Sequence, residues 1–362
     1  MDADNILEVR KLNTYFKLDE GLLKAVDQVD FSIRKGKTLG IIGESGCGKS
    51  VTAHSILNTV QAPGKIYAGT IHYRTQAGAE LEIVREKPNG ETMRSLRGRE
   101  ISMIFQEPMT SLSPVYSIGH QMCEAILVHE KKRDKAAKNA AQDKVLEMLN
   151  LVGMPYASQR INDYPHQLSG GMCQRAMIAM ALSLNPSILI ADEPTTALDV
   201  TVQAQIVDLM LKLQAELGMS ILYITHDMGV IAEVATDICV MYLGRIVEQA
   251  PVETLFRNPA HPYTVRLLRS IPRLGKKIPG ARLDAIRGNV PIPVNLPDEC
   301  GFMSRCLEAD REKCSAGIPP MVEIEPDHFV RCFLHTGNPR RDPANRRFEG
   351  SRFPSGKEAP IG

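Results

Sequence analysis

The chain has 362 residues, 43% of them hydrophobic and 23% charged, with a net charge of +1. That is enough apolar material for a sizeable soluble core, and too little positive charge for a dedicated nucleic-acid binder. No apolar run reaches the ~18 residues needed to span a bilayer, and the acidic start Met1-Asp2-Ala3-Asp4-Asn5 lacks the character of a signal peptide.

In chain order, Ile6–Val9 and Ala25–Ile33 read as strands, the second alternating with a period near two. Thr38-Leu39-Gly40-Ile41-Ile42 is a buried strand that runs into a glycine-rich turn. From about Ser113 to Leu184 the pattern is helical. Two more buried strands, Ile188–Ala191 and Ile221–Ile224, flank a helix around Val202–Glu216. Strands alternating with helices imply an α/β core with a parallel sheet. The helical stretch, about residues 107–185, is then an inserted subdomain of a domain covering 1–250. Beyond it prolines multiply, and 251–335 reads as a small C-terminal module; the basic end, 336–362, reads as a disordered solvated tail.

Three motifs carry chemistry. Gly43-Glu44-Ser45-Gly46-Cys47-Gly48-Lys49-Ser50 fits the P-loop pattern and follows a buried strand, as that motif requires. Its glycines let backbone N–H groups turn around phosphate oxygens; Lys49 would reach the β- and γ-phosphates and Ser50 would ligate Mg²⁺. The strand Ile188–Ala191 ends in Asp192-Glu193, one acid to hold Mg²⁺ through its water shell and one to activate a water. Leu168-Ser169-Gly170-Gly171-Met172 offers a second anion nest at a helix start, or in the plainer reading only a helix cap.

With these residues the sequence resembles the ATP-binding cassette (ABC) ATPases, whose signature is a Leu-Ser-Gly-Gly run followed by glutamine. Here Met172 stands in place of the glutamine, and Cys173 where a basic residue is common. The resemblance implies a nucleotide-binding domain with an antiparallel β subdomain and an inserted helical subdomain. It also assigns Gln106 to the glutamine loop that senses the γ-phosphate and helps hold Mg²⁺. Thr196-Ala197-Leu198-Asp199 matches the loop through which paired cassettes communicate, and His226 the switch histidine. Phe16, or Tyr15 beside it, matches the aromatic that stacks on adenine. The implied nucleotide set is Phe16, Gly43 to Val51, Asp192, Ser169, Gly170, Gly171 and Asp199, with Glu193, His226 and Gln106 catalytic.

Gln106-Glu107-Pro108-Met109-Thr110-Ser111-Leu112-Ser113-Pro114, Asp192 to Gln203 and Asn258 to Thr264 look like the oligopeptide/dipeptide branch of ABC importers. Nickel and some oligosaccharide importers share much of this pattern. A soluble ABC ATPase of DNA repair or translation is the rival, but such families carry a coiled-coil insertion or two cassettes per chain. The resemblance implies an ATPase at the cytoplasmic face of the inner membrane. Its implied partners are a second, non-identical cassette, two permease subunits and an extracytoplasmic substrate-binding protein, with no nucleic acid.

Of eight cysteines, Cys300, Cys306, Cys314 and Cys332 fall together, in the spacing C-x5-C-x7-C-x17-C. That spacing is loose for zinc, and four thiolates on loops could hold a [4Fe–4S] cubane. Peptide-importer ATPases resembling this chain carry such a quartet, and in some it binds a cluster. The expectation is therefore a [4Fe–4S] cluster, with Zn²⁺ or unmetallated thiols as alternatives.

Overall fold

The structure is a computed structural model of the full chain; it describes residues 1–196, 198–270, 286 and 288–336, without the side chains of 108 and 109. The expected disordered tail therefore lies, from residue 337 on, outside the described residues. Contacts divide the chain into one unit of Met1–Ile246 with Asn289–Pro297, and a second comprising the described residues of Val247–Gly288 and Asp298–Gly362.

In the first unit, β1 (Asn5–Leu18) and β2 (Gly21–Arg34) form a long antiparallel hairpin. β1 also pairs with β4 (Gly64–Arg74), which pairs with β5 (Glu80–Glu82), in the order β2–β1–β4–β5. From Leu12 to Tyr15 β1 alternates between buried and less buried residues, the mark of a sheet with one face on a core, whereas Ile6–Val9 are all buried. This subdomain is longer than the sequence pattern suggests, because bulges between Val9 and Thr14 break the period of two.

The core is a parallel sheet with adjacent strands β9 (Asp237–Tyr242), β3 (Thr38–Ile42), β8 (Ser220–Thr225), β7 (Ile188–Asp192) and β6 (Ile101–Ile104). Every residue of β3, β6, β7 and β8 is buried, which is why they read as continuous apolar runs and not as alternating ones. Each fully buried Leu, Ile or Val contributes roughly 1.5–3 kcal/mol to that core. Helix α1 (Lys49–Ile56) follows β3. Between β6 and β7 lie α2 (Ile118–Leu127), α3 (Lys135–Leu151) and α4 (Gly170–Leu182). α5 (Val200–Leu217) links β7 to β8, and α6 (Met228–Val234) links β8 to β9. Asp134, Ser169, Asp199 and Asp227 cap α3 to α6 in turn, each accepting backbone N–H groups of its first turn. No described helix is long and apolar enough to cross a membrane.

The second unit holds a small antiparallel sheet. β10 (Arg245–Pro251), β12 (His328–Val330) and β11 (Val322–Glu325) pair in that order. Its centre is the fully buried Glu248, whose Oε1 and Oε2 accept the amides of Ala260 (2.7 Å) and His261 (2.9 Å). His328, equally buried, puts Nε2 2.8 Å from Glu248 Oε1. A buried carboxylate persists only with such partners.

Candidate functional site

In an open parallel sheet, ligands bind beyond the carboxyl ends of the strands. Here four neighbouring strands deliver the predicted residues at that end: β3 the P-loop, β8 His226, β7 Asp192 and Glu193, and β6 Gln106. The sequence brings these residues from distant stretches; the parallel register sets them side by side.

The P-loop is held by its glycines. Gly48 has φ +106° and a Cβ there would stand 2.1 Å from the Ala25 carbonyl oxygen, so only glycine fits. Lys49 is buried and folds over the loop, its Nζ donating to the carbonyls of Gly43 (2.8 Å) and Glu44 (3.3 Å). Cys47 is buried too; burial pushes its thiol pKa up against the nearby Lys49 charge, so the thiol stays neutral. Ser50 and Val51 open α1 directly behind the loop.

Glu193 is where the elements converge. Its Oε1 lies 3.8 Å from Lys49 Nζ. Its Oε2 accepts from Gln106 Nε2 (3.2 Å) and Thr196 Oγ1 (2.9 Å), and stands 3.3 Å from His226 Nδ1. The residue itself has φ +48°, an uncommon conformation for a side chain other than glycine, fixed by its amide donating to the Ile224 carbonyl at 2.8 Å. Asp192, one residue earlier, is buried. Burial raises its pKa, a hydrogen bond from Ser50 opposes the rise, and its Oδ1 has no partner. An unpartnered carboxylate oxygen beside a serine hydroxyl fits the water shell of a hard divalent cation.

Thr196 and Gln203 are contributors that the sequence motifs contain without revealing their roles. Gln203 Nε2 donates to Asp227 Oδ2 at 3.1 Å, tying the start of α5 to the residue after His226. The Gln203–Asp227 contact is tertiary, its partners 24 residues apart, whereas Thr196 reaches Glu193 locally, three residues back in the chain.

Ser169 and the glycines behind it do not join this cluster in the contacts of the described residues. Ser169 is exposed and its Oγ accepts from Met172 N (3.3 Å), the local cap. Gly170 is exposed, and Gly171 packs so closely that a Cβ would meet Val202 Cγ1 at 2.8 Å. Cys173 turns inward, its buried Sγ donating to the Pro165 carbonyl at 3.4 Å. Asp199 Oδ1 accepts from Thr201 N (3.1 Å) and Val202 N (3.0 Å).

Phe16 and Tyr15 part company in the structure. Thr14 Oγ1 lies 2.8 Å from Ser55 Oγ on α1, so that face of β1 looks toward the helix behind the P-loop. Phe16, two residues on, shares the face. Its ring lies over Gly64 of β4, where a Cβ would be 2.5 Å from the ring edge. Tyr15 faces the other way, its hydroxyl on Asp27 Oδ1 (2.7 Å) and Asn13 Oδ1 (3.0 Å).

In the second unit the four clustered cysteines line one cavity of about 360 Å³, with His261 and Phe302. Burial pushes Cys300 up to about 11 and Cys332 up to about 12. Among the described residues, however, no group of three or more His, Cys, Asp or Glu side chains could hold a metal ion. The expected metal site is thus not formed as a ligand cage: Cys314 comes from the short helix Arg311–Ser315 and the other three thiols from loops, and they surround a space without meeting at a point.

Residues 26–196 match the ABC transporter family, and residues 247–314 match the oligopeptide/dipeptide transporter C-terminal region. The chain is 48% identical to the oligopeptide transport ATP-binding protein AppD of Bacillus subtilis, over 91% of this chain and 97% of that relative. It is 43% identical to the dipeptide transport ATP-binding protein DppD of Haemophilus influenzae, over 92% of this chain and 98% of that one. Among solved structures, the dimeric bacterial ABC transporter cassette MJ0796 matches with a TM-score of 0.59 and 25% identity, over 68% of this chain and 98% of that one.

Proposed function

Because the chain belongs to the ATP-binding proteins of ABC transporters, in their oligopeptide/dipeptide import branch, we propose that its site hydrolyses ATP to power peptide uptake through separate permease subunits. The observation that carries this is the meeting of Lys49, Gln106, Thr196 and His226 on the single carboxylate of Glu193. Lys49 brings positive charge to the phosphates. Glu193 Oε1 is the oxygen left to take a proton from the attacking water, while Gln106, Thr196 and His226 hold Oε2 and fix the carboxylate's aim. Asp192 and Ser50, with Gln106, would hold Mg²⁺, which neutralises charge on the phosphates when bound. Phe16 would stack on adenine. The test is uptake of a labelled oligopeptide into vesicles holding the permeases and this chain. Uptake should require ATP and fail with Lys49→Ala; ATP turnover indifferent to the permeases and to peptide would overturn the reading.

The exposed Ser169 and Gly170 support a site completed by a second cassette, with the P-loop of one chain facing the signature of the other. That partner is a non-identical cassette, and the pair sits at the cytoplasmic face of the inner membrane with two permeases and, beyond them, a substrate-binding protein. Purified alone, the chain should be monomeric and weakly active in light scattering and phosphate release. Full turnover as an ATP-driven homodimer would remove the mixed pair.

The cavity shared by Cys300, Cys306, Cys314 and Cys332 supports a [4Fe–4S] cluster in the second unit, zinc being the alternative. A cubane holds its thiolates apart around a volume, which suits side chains that line a space better than a single ion does. Its role there is structural, clamping a module with little core of its own.

A further inference from the structure

Residues Asn289–Pro297 group with the first unit, although the chain on either side groups with the second. They run as a strap along the outer edge of β2. Lys24 N donates to the Pro293 carbonyl (3.1 Å), Asn295 N donates to the Leu22 carbonyl (3.0 Å), and Leu23 bridges Val294 in antiparallel register. The Asn295 side chain closes the tip of the β1–β2 hairpin. Its Oδ1 accepts from Leu22 N (2.9 Å), and its Nδ2 donates to the Glu20 carbonyl (3.1 Å). Gly21 makes room for it: a Cβ there would lie 2.0 Å from Asn295 Nδ2. Asn295 itself has φ +49°, a conformation asparagine tolerates better than most residues.

What this strap borders is the row that contains Phe16. Val294 pairs with Leu23, Leu23 with Phe16, and Phe16 with Gly64, so the four residues form one line across four segments of chain. Cross-strand partners share a face, so Leu23 stands beside Phe16, and Val294 beyond Leu23, on the same side of the sheet. Without the strap, β2 would be an open edge and the hairpin tip free to flex.

We propose that Asn295 is a positioning residue for the nucleotide base: by pinning the β1–β2 hairpin it holds Phe16 where adenine stacks. This rests on the reading of Phe16 as the adenine-stacking aromatic. The P-loop would grip phosphate through α1 and β3, whereas the strap's bonds described above go to the β1–β2 hairpin, so the effect belongs to the base and not to the phosphates.

The test is calorimetric titration of the full-length chain with ATP and, separately, with inorganic tripolyphosphate, which has no base. Asn295→Ala should weaken ATP about three- to tenfold, the worth of one or two hydrogen bonds, and leave tripolyphosphate unchanged. Phe16→Ala should weaken ATP alone as well. In the double variant the Asn295 effect should largely disappear, because it acts through Phe16. Asn295→Asp, which keeps the acceptor for Leu22 N, should retain part of the affinity. Equal weakening toward both ligands, or an undiminished Asn295 effect in the double variant, would make Asn295 a stability residue and overturn the inference. Unchanged ATP binding in Asn295→Ala beside a weakened Phe16→Ala sinks the strap's role alone. Unchanged ATP binding in Phe16→Ala sinks the adenine reading, and this inference with it.

Discussion

Lys49 Nζ and Glu193 Oε1 stand 3.8 Å apart, the lysine of the glycine-rich loop and a buried carboxylate meeting across the ends of β3 and β7. The other oxygen of Glu193 takes every remaining contact, from Gln106, Thr196 and His226. One oxygen is thereby held and the other left for chemistry.

Replacing Glu193 by Gln keeps the shape and removes the basicity. ATP binding should persist, while phosphate release by the assembled transporter falls on the order of 10²–10⁴-fold. Turnover within a few-fold of wild type, measured at saturating ATP, would show that the proton goes elsewhere.

Gly48→Ala should destabilise the first unit by about 1–3 kcal/mol or more and abolish ATP binding, because the new methyl group meets the Ala25 carbonyl in a backbone conformation suited to glycine. Gly218→Ala is the control. At φ +65° it is strained as well, but nothing lies within 4 Å of its Cβ and it is far from the loop. It should lower the melting temperature modestly and leave the ATP titration unchanged; an equal loss of binding in both would refute the steric account.

The buried Glu248 sets a pH dependence for the second unit. Burial alone would raise its pKa, but the hydrogen bond and charge of His328 and the amide of Ala260 outweigh it, and the carboxyl titrates below its ordinary value of 4.5. Its stabilisation is therefore present above about pH 4.5 and is lost as pH falls through the lower folded value. Glu248→Gln should cost about 2–4 kcal/mol at neutral pH, since an amide NH₂ cannot accept from a backbone N–H. It should also flatten the acid limb of the stability curve. Chemical denaturation from pH 7 to 3 measures both, and an acid limb unaltered by the substitution would exclude Glu248 as its source.

For the cysteine cavity, protein purified without oxygen should be brown, with iron and acid-labile sulfide in equal amounts, bleaching in air while ATP binding survives. Cys306→Ser should lose the colour and Cys123→Ser should not. Stoichiometric zinc with neither iron nor sulfide would replace the cluster with a zinc clamp.

The nucleotide motifs were legible because their chemistry is local. A P-loop needs glycines at fixed offsets behind a buried strand, and Asp192-Glu193 needs only to end one, so Gly43–Ser50 and β7 can be read from neighbours in the chain. The strands β3, β7 and β8 were legible for the same reason, as apolar runs bounded by turns. The hairpin β1–β2 was read short, since bulges erase the alternation that marks a strand, and β4, β5 and β6 gave too little pattern to be found. Sequence alone determined that this chain carries the P-loop pattern behind a buried strand and has the composition of an α/β domain. Only the tertiary structure decided that Gln106 helps hold Glu193, that Phe16 and not Tyr15 shares the face of α1, and that Asn289–Pro297 pairs with β2. Each of those depends on strand register and on contacts between residues far apart in the chain, and such pairings are fixed by packing, which no short stretch of sequence encodes by itself.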